Sequence, residues 1–496
     1  MRPRFAGLHS RGLPPDAARG IALVSLALLL AGCAVNPATG RKEFSLVSAD
    51  QELAIGSQGY PATLAEYGLY DDPKLAAYVD SVGQRVAHAS ELPNLTWHFT
   101  VLDDPVVNAF AMPGGYIYIT RGILSHLNSE AQLAGVLGHE IGHVTARHSA
   151  KQITQQQIAT LGLTLASAFS TTLQRYSGPA QQALGLMMLK YSRDDETQAD
   201  ALGIRYSTAA GYDPREIPDT YAMLKRISAK AGSTLPIYMS THPDPGDREA
   251  RTAALSAQAV VGHTGLAIRG HTYLDHVRGV VYGDDPRGGW VTGTHFVQPR
   301  LGFELDLPAG WTVQNTHAAL TAAEPQQKGA LQYSLASDAA ALSAADYVAA
   351  LRRDGRITSA DGGSESIGGW PAWIGRIGAP ADGSTTRVLV AAWVRLGPDR
   401  LLQCLGQGTA TGDAYESAIL ASVRSLRAVP EMRRTVVEPD RVRVKPAPAS
   451  GTLPTLLARL GGSPVPPDEL AILNGIALED PVPSGAWLKI VEAGRR

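Results

Sequence analysis

The chain has 496 residues, 44% of them hydrophobic and 18% charged, which excludes a disordered chain and predicts two to four domains of ~100–200 residues. Its 44 basic and 46 acidic residues leave a net charge of −2, which excludes wholesale electrostatic capture of nucleic acid. Two cysteines, Cys33 and Cys404, exclude a disulfide scaffold, a Cys-rich zinc module and a Cys-ligated iron–sulfur cluster.

The first 19 residues carry Arg2, Arg4, Arg11 and Arg19 against a single acid, Asp16, and an apolar run follows over 21–30. That run is too short to cross a bilayer, which takes about 20 apolar residues, but it has the length of a signal-peptide core. Its end, Leu30-Ala31-Gly32-Cys33, resembles the bacterial lipobox, which implies cleavage before Cys33 and lipidation of its thiol. Ala34 at the next position resembles outer-membrane sorting. Residues 1–32 therefore read as a lipoprotein signal peptide and 33–47 as a tether.

Ser48 with Gln51 fits a capping box and opens a helix; Leu75, Tyr78, Val79, Val82 and Val86 recur at helical spacing after Pro73. Trp97, Phe99 and Val101 alternate as in a strand, and the Pro113-Gly114-Gly115 turn precedes a β run over 116–120. Ser129 and Gln132 form a second capping box, predicting a helix from about 130 to 148. Residues 152–174 carry no charge but are too rich in Gln, Ser and Thr for a membrane span, so they read as a buried or interfacial helical element. Helices are expected over 180–208 and 214–230, and the pattern weakens around 257–270. Short β runs follow, with Phe303, Leu305 and Leu307 alternating and a further run at 387–394, plus helical stretches near 343–353 and 413–426. Residues 439–450 look like a linker.

The feature that carries chemistry is His139-Glu140-Ile141-Gly142-His143. Positions i and i+4 of a helix face the same way, so the two imidazoles can share one Zn²⁺ with Glu140 beside it. A third ligand candidate is Glu196, which shares a helical face with Asp200; a His₂Glu set leaves a fourth position for water, as catalytic zinc requires. Asp200 would accept the outer N–H of a ligating His. Zinc would lower the pKa of bound water toward ~7 and polarise a scissile carbonyl, with Glu140 taking and delivering the proton. His242 and Arg248 are candidates to stabilise the oxyanion. Imidazole and carboxylate ligands favour Zn²⁺ over Mn²⁺ or Fe²⁺ in a tetrahedral site. His148, nine residues after His139, would point away from the metal on a continued helix, and the remaining histidines show no ligand spacing.

These motifs, with N-A-F-A-M-P-G-G-Y-I-Y over 108–118 and T-H-P before Arg248, resemble the gluzincin family of the CAAX prenyl endopeptidase and the HtpX protease. With the lipobox, they look most like its periplasmic, BepA-like lipoprotein branch. The resemblance covers roughly residues 40–255. It implies His139, His143 and Glu196 as zinc ligands, Glu140 as base and Asp200 behind them. It further implies an edge strand in which Asn108, Ala109, Phe110, Pro113, Gly114, Gly115 and Tyr116 take up substrate backbone by strand addition. His242 is implied as a residue that can occupy the open position and hold the enzyme shut, and Arg248 as a substrate or oxyanion partner.

The expected fold is α+β: a mainly helical metallopeptidase domain with a small sheet over 48–260, an α/β accessory domain over 270–430 and a small module over 435–496. The accessory region resembles α/β binding modules of the PsbP/Mog type, and the tail a degenerate LysM peptidoglycan-binding module. The expected protein is a zinc endopeptidase on the periplasmic face of the outer membrane of a Gram-negative bacterium. Misfolded or unassembled envelope proteins are its expected substrates, the lipid anchor and peptidoglycan its further contacts, and nucleic acid none. Two other readings remain open at this point: a periplasmic chaperone or assembly factor with a gated metal site, and a peptidoglycan-bound scaffold.

Overall fold

A computed structural model describes residues 33–166, 191–231, 238, 242 and 245–495, apart from 338, 340, 381–385, 409–412 and 431–436. The expected leader over 1–32 and the first part of the helix expected over 180–208 lie outside the described residues. No described helix is long and apolar enough to cross a membrane.

The segment expected as a tether is instead a small hairpin, with β1 (Cys33–Val35) antiparallel to β2 (Lys42–Phe44). Asn36 fixes it to the body: its Nδ2 donates to Ala146 O at 3.0 Å, and Ala38 N donates to Thr145 O at 3.3 Å. Sequence reasoning missed this because the hairpin's partners are backbone carbonyls more than 100 residues away, which leave no local signal.

Helix α1 (Ala49–Tyr67) starts at Ser48, where the capping box with Gln51 forms reciprocally. Helix α2 (Pro73–His88) starts at the Asp72 cap and buries the stripe Leu75, Val79, Val82 and Val86. Then come β3 (His98–Leu102), β4 (Ala109–Met112) and β5 (Tyr116–Thr120), in the spatial order β3-β5-β4, with β3 parallel and β4 antiparallel to β5. Gly114 and Gly115 make the turn between β4 and β5 with φ of 83° and 89°, conformations that a Cβ disfavours.

After the short α3 (Arg121–His126), helix α4 (Glu130–Thr145) is capped by Ser129, whose side chain accepts from Gln132 N. The Gln132 side chain turns to Asn128 N instead of closing the box. All of α4 except Val144 is buried, so it forms the centre of the domain with α2 and the sheet around it. The helix ends at Thr145, earlier than expected. Arg147 turns the chain at φ 55°, held by Glu52 and Val47 O, and α5 (His148–Ala166) starts in a new direction.

Helix α6 (Arg193–Ala209) follows, then α7 (Ile217–Ala231), α8 (Pro245–Ala259) and α9 (Gly270–Val277). Helices α4 and α6 touch through glycine. A Cβ on Gly203 would lie 2.8 Å from His139 N, one on Gly138 would lie 3.0 Å from Gly203 O, and one on Gly142 would lie 3.2 Å from Ala199 O. This seam lets the two helices approach closely enough to share one site.

The following region runs through β6 (Trp290–Thr292), β7 (His295–Gln298), β8 (Phe303–Asp306), β9 (Thr312–Asn315), β10 (Ala319–Ala323), β11 (Ala330–Leu335), β12 (Ser359–Ile367), β13 (Trp370–Pro380), β14 (Thr386–Gly397), β15 (Arg400–Gln407) and β16 (Arg427–Ala428). They form a four-stranded sheet (order β16-β8-β7-β6) and a seven-stranded antiparallel sheet (order β12-β13-β14-β15-β11-β10-β9). These strands pack with α10 (Ala344–Arg353) and α11 (Ala414–Arg424). The segment expected as a linker contains a strand, β17 (Arg441–Pro446), which pairs with the last strand, β18 (Trp487–Glu492), across two helices, α12 (Leu453–Leu460) and α13 (Pro467–Leu473).

This tail packs back on the first domain. Val444 and Ile472 join its core, and the buried Lys489 Nζ donates to Ser125 O and Leu127 O, both at 2.7 Å. Beside it, burial pushes His126 down to about 4, the Gly122 carbonyl resisting and the nearby Lys489 reinforcing the shift.

Two predictions follow from this packing. Gly203→Ala forces backbone apart, because the atoms it meets belong to the main chain around His139. It should destabilise the protein by ~1–3 kcal/mol in urea unfolding, and an unchanged midpoint would contradict the seam. His126 is neutral when folded and has an unfolded pKa of ~6.5, so stability should fall as pH drops from about 6.5 toward 4. His126→Asn should flatten that slope in thermal melts across the same range.

Candidate metal centre

Helix α4 presents His139 and His143 one turn apart, α6 presents Glu196 and Asp200 across the glycine seam, and His242 and Arg248 arrive from beyond α7. One ligand atom each from His139, His143, Glu196 and His242 lie within 4.8 Å of one another, and all four residues are buried.

The edges of this group can be compared with a metal site. Zinc bonded at ~2.0–2.1 Å in a tetrahedron places its ligand atoms about 3.3 Å apart. The Nε2 atoms of His139 and His143 are 3.0 Å apart, and Glu196 oxygens lie 3.5 Å from the first and 3.6 Å from the second. His242 Nδ1 lies 3.4 Å from His139 Nε2 and 2.9 Å from Glu196 Oε1. Two imidazole nitrogens 3.0 Å apart can share a proton as an N–H···N hydrogen bond, and a shared cation can take that proton's place. Among the described residues, His242 Nε2 and both Glu140 oxygens are buried without a hydrogen-bond partner. The donor set therefore fits a divalent cation, and its nitrogen and oxygen chemistry fits zinc.

Groups outside the cluster orient it. Asp200 Oδ1 lies 3.0 Å from His139 Nδ1, which leaves Nε2 facing the cluster. Asp200 also accepts from Tyr221 OH (2.7 Å), Arg248 Nη2 (2.6 Å) and Arg251 Nη2 (2.8 Å). Arg248 forms an ion pair with Glu196 Oε2 at 2.7 Å and lies over the Tyr221 ring at 4.5 Å. In this conformation Arg248 clamps Glu196 and Asp200.

Burial opposes ionising Glu196, but His242, His139 and Arg248 outweigh it and hold the carboxyl well below its usual range. Burial also opposes a charge on Asp200, and Arg248 and His139 reverse that. Burial works against a proton on His139, yet Asp200 and Glu196 raise it to about 9; the same two carboxylates favour a metal cation. His143 is driven well below 6.5 by burial and by His139, so it stays a neutral imidazole. Glu140 is raised, chiefly by burial, as suits a group that both takes and gives a proton.

The strand β4 has no strand on its far edge among the described residues. Ala109 belongs to the central core. Phe110 stacks on Tyr118 at 4.9 Å and meets Tyr67 at 5.7 Å, while Tyr116 packs on Tyr60 and His98. Pro113 and Gly114 press against α1 at Gly56 and Glu52, and Gly115 presses on Thr96 O. Asn108 Oδ1 is buried without a hydrogen-bond partner among the described residues.

Several residues around the site were not expected. Tyr191 stacks on His143 at 3.9 Å, and Tyr238 stacks on His242 at 4.6 Å. His148 is a correction: it does not point away, because the helix stops at Thr145, and its Nδ1 lies 2.9 Å from His143 Nδ1. The non-helical turn at Arg147 removes the basis for extrapolating 100° per residue. The aromatic residues had no spacing signal at all.

A buried pair of imidazoles one helical turn apart, a glutamate from α6 and the buried Glu140 beside them form a donor set of the metallopeptidase type. Residues 73–257 match Peptidase family M48, a zinc-dependent family. The chain is 38% identical over 185 residues to the mitochondrial metalloendopeptidase OMA1 of Arabidopsis thaliana, a match covering 37% of this chain and 36% of that protein. It is 33% identical over 215 residues to OMA1 of Schizosaccharomyces pombe (43% of this chain, 63% of that protein). It is 30% identical over 237 residues to the beta-barrel assembly-enhancing protease of Escherichia coli K12 (45% and 48%). The matches thus span from about a third to under two thirds of these relatives' length.

The clamp makes a prediction. Asp200→Ala removes one of the two carboxylates that hold Arg248, whose side chain is 2% exposed, and should cost about 3 kcal/mol in urea unfolding of the metal-free protein. Arg251→Ala, removing a side chain one third exposed, should cost no more than about 1 kcal/mol.

Proposed function

We propose that this chain is a zinc-dependent endopeptidase, with His139, His143 and Glu196 as the metal ligands. The observation that carries this reading is the convergence of those donors beside a buried Glu140 carboxylate that has no other hydrogen-bond partner among the described residues.

When bound, zinc supplies Lewis-acid polarisation of a peptide carbonyl and acidifies water. The chain's own residues do the rest. Glu140 accepts the water proton and passes it to the leaving amine. Its raised pKa, caused first by burial, keeps the protonated form accessible for that second transfer. Asp200 fixes the tautomer and ring orientation of His139. Arg248 holds Glu196 and Asp200 against their mutual repulsion, and in this reading it is the oxyanion partner once substrate enters.

His242 is the gate in this reading. Its Nδ1 stands within the donor group and its Nε2 lies 3.8 Å from Glu140 Oε1, so the ring fills the space between ligands and base. Substrate entry requires that ring to leave. The free edge of β4, beginning at Asn108, is the proposed track for an extended substrate backbone.

The finer substrate class is unassembled or misfolded envelope proteins, supported by the likeness to a beta-barrel assembly-enhancing protease and by the lipobox at Cys33. The proposed site of action is the periplasmic face of the outer membrane. Peptidoglycan is a proposed contact of the tail, supported by its strand–helix–helix–strand order.

Casein cleavage by wild type, Glu140→Gln and His242→Ala tests the reading. Loss of at least about a hundredfold in Glu140→Gln is expected, with a rise in His242→Ala. Cleavage retained in Glu140→Gln would overturn the assignment of the base, and a fall in His242→Ala would overturn the gate.

A further inference from the structure

His143 has two ring nitrogens and both are committed. Its Nε2 belongs to the donor group, 3.0 Å from His139 Nε2. Its Nδ1 lies 2.9 Å from His148 Nδ1. A neutral imidazole that binds a metal through Nε2 carries its proton on Nδ1, so the His143 N–H must find an acceptor there. His148 Nδ1 accepts only if the His148 proton sits on Nε2. That nitrogen lies 3.1 Å from Gln198 Oε1, which accepts it, with Asp195 Oδ1 further off at 3.7 Å. The chain of donors runs in one direction, from His143 to His148 to Gln198, and each step has its acceptor.

The two helical imidazoles are thus held differently. His139 is backed by a carboxylate, Asp200, and His143 by a neutral ring. The cluster already buries Glu140, Glu196 and Asp200 around the buried guanidinium of Arg248, with the half-buried Arg251 reaching Asp200. A neutral acceptor orients the second ligand without adding another anion to that group.

His148 reaches this place only because α4 stops short. The turn at Arg147 is fastened by Glu52 and Val47 O, and the Ala146 carbonyl by Asn36 of the N-terminal hairpin. His148 is 1% exposed, and Tyr191 stacks on the outer face of His143, so neither ring has room to swing while its hydrogen bond lasts.

We infer that His148 is a positioning residue for the metal: it accepts the outer N–H of His143 and, through Gln198, fixes the tautomer that leaves His143 Nε2 free to ligate. This rests on the zinc reading above.

The test compares His148→Leu with His148→Gln in the mature chain. The two side chains are close in size, and only glutamine supplies an acceptor for the His143 N–H. Metal-free melting curves first establish that each variant folds. Zinc dissociation constants are then measured by competition with a chelator of known affinity. His148→Leu should bind zinc about 10–100-fold more weakly than wild type, and His148→Gln should recover most of that loss. Wild-type affinity in His148→Leu would overturn the inference. Equal weakening in both variants would overturn it too, since it would assign the effect to ring packing. Should His148→Leu not fold, Gln198→Leu carries the test: it leaves the core ring in place but removes the acceptor that sets its tautomer. A several-fold weaker zinc affinity is expected there, and an unchanged one would overturn the inference. Absence of zinc binding by wild type would instead overturn the zinc reading, so the two failures are distinguishable.

Discussion

Three carboxylates and a guanidinium are buried within a few ångströms of one another, and the fold around them is organised by that cost. Each ion taken from water costs several kcal/mol unless its partners are close and well directed. Asp200 resolves this with four polar partners, Glu196 with Arg248 and two histidines, and His139 with the carboxylates it faces. Among the described residues Glu140 has no such partner, and an unpaired carboxyl inside a buried polar group is where function is expected. A divalent cation at the centre changes the balance: it replaces scattered partial compensation with one strong charge to which every donor points.

Holding those groups in register requires two helices at close range. The glycines that make it possible, Gly138, Gly142 and Gly203, do no chemistry, but a methyl group on any of them would press on main chain or side chain of the opposite helix. Around this pair the rest of the molecule acts as bracing. The N-terminal hairpin and α1 secure the turn after α4. The tail packs against α3 through Lys489, so the last strand of the chain supports the domain that begins it.

The donor residues were legible in the sequence because an i, i+4 spacing on a capped helix is local information. His139, Glu140 and His143 needed only the helix, and Glu196 with Asp200 needed only a second one. The capped starts at Ser48 and Ser129 were readable for the same reason. What could not be read was set by contacts distant in the chain. Asn36 looks like a tether residue until Ala146 is beside it. Lys489 looks like a surface lysine until two carbonyls of α3 and its exit face it. His148 was misjudged because one left-handed residue, Arg147, ended a helix that the pattern continued. Tyr191 and Tyr238 pack on metal-site imidazoles with nothing in their spacing to mark them.

The central claim is that these donors hold one zinc. Metal analysis with zinc-edge X-ray absorption on the purified mature chain tests it most directly, alongside Glu196→Ala. The account predicts one zinc per chain, bound only by nitrogen and oxygen at about 2.0–2.1 Å with imidazole scattering, and loss of most of that zinc in Glu196→Ala. Zinc-free protein, sulfur in the coordination sphere, or full zinc occupancy in Glu196→Ala would contradict it.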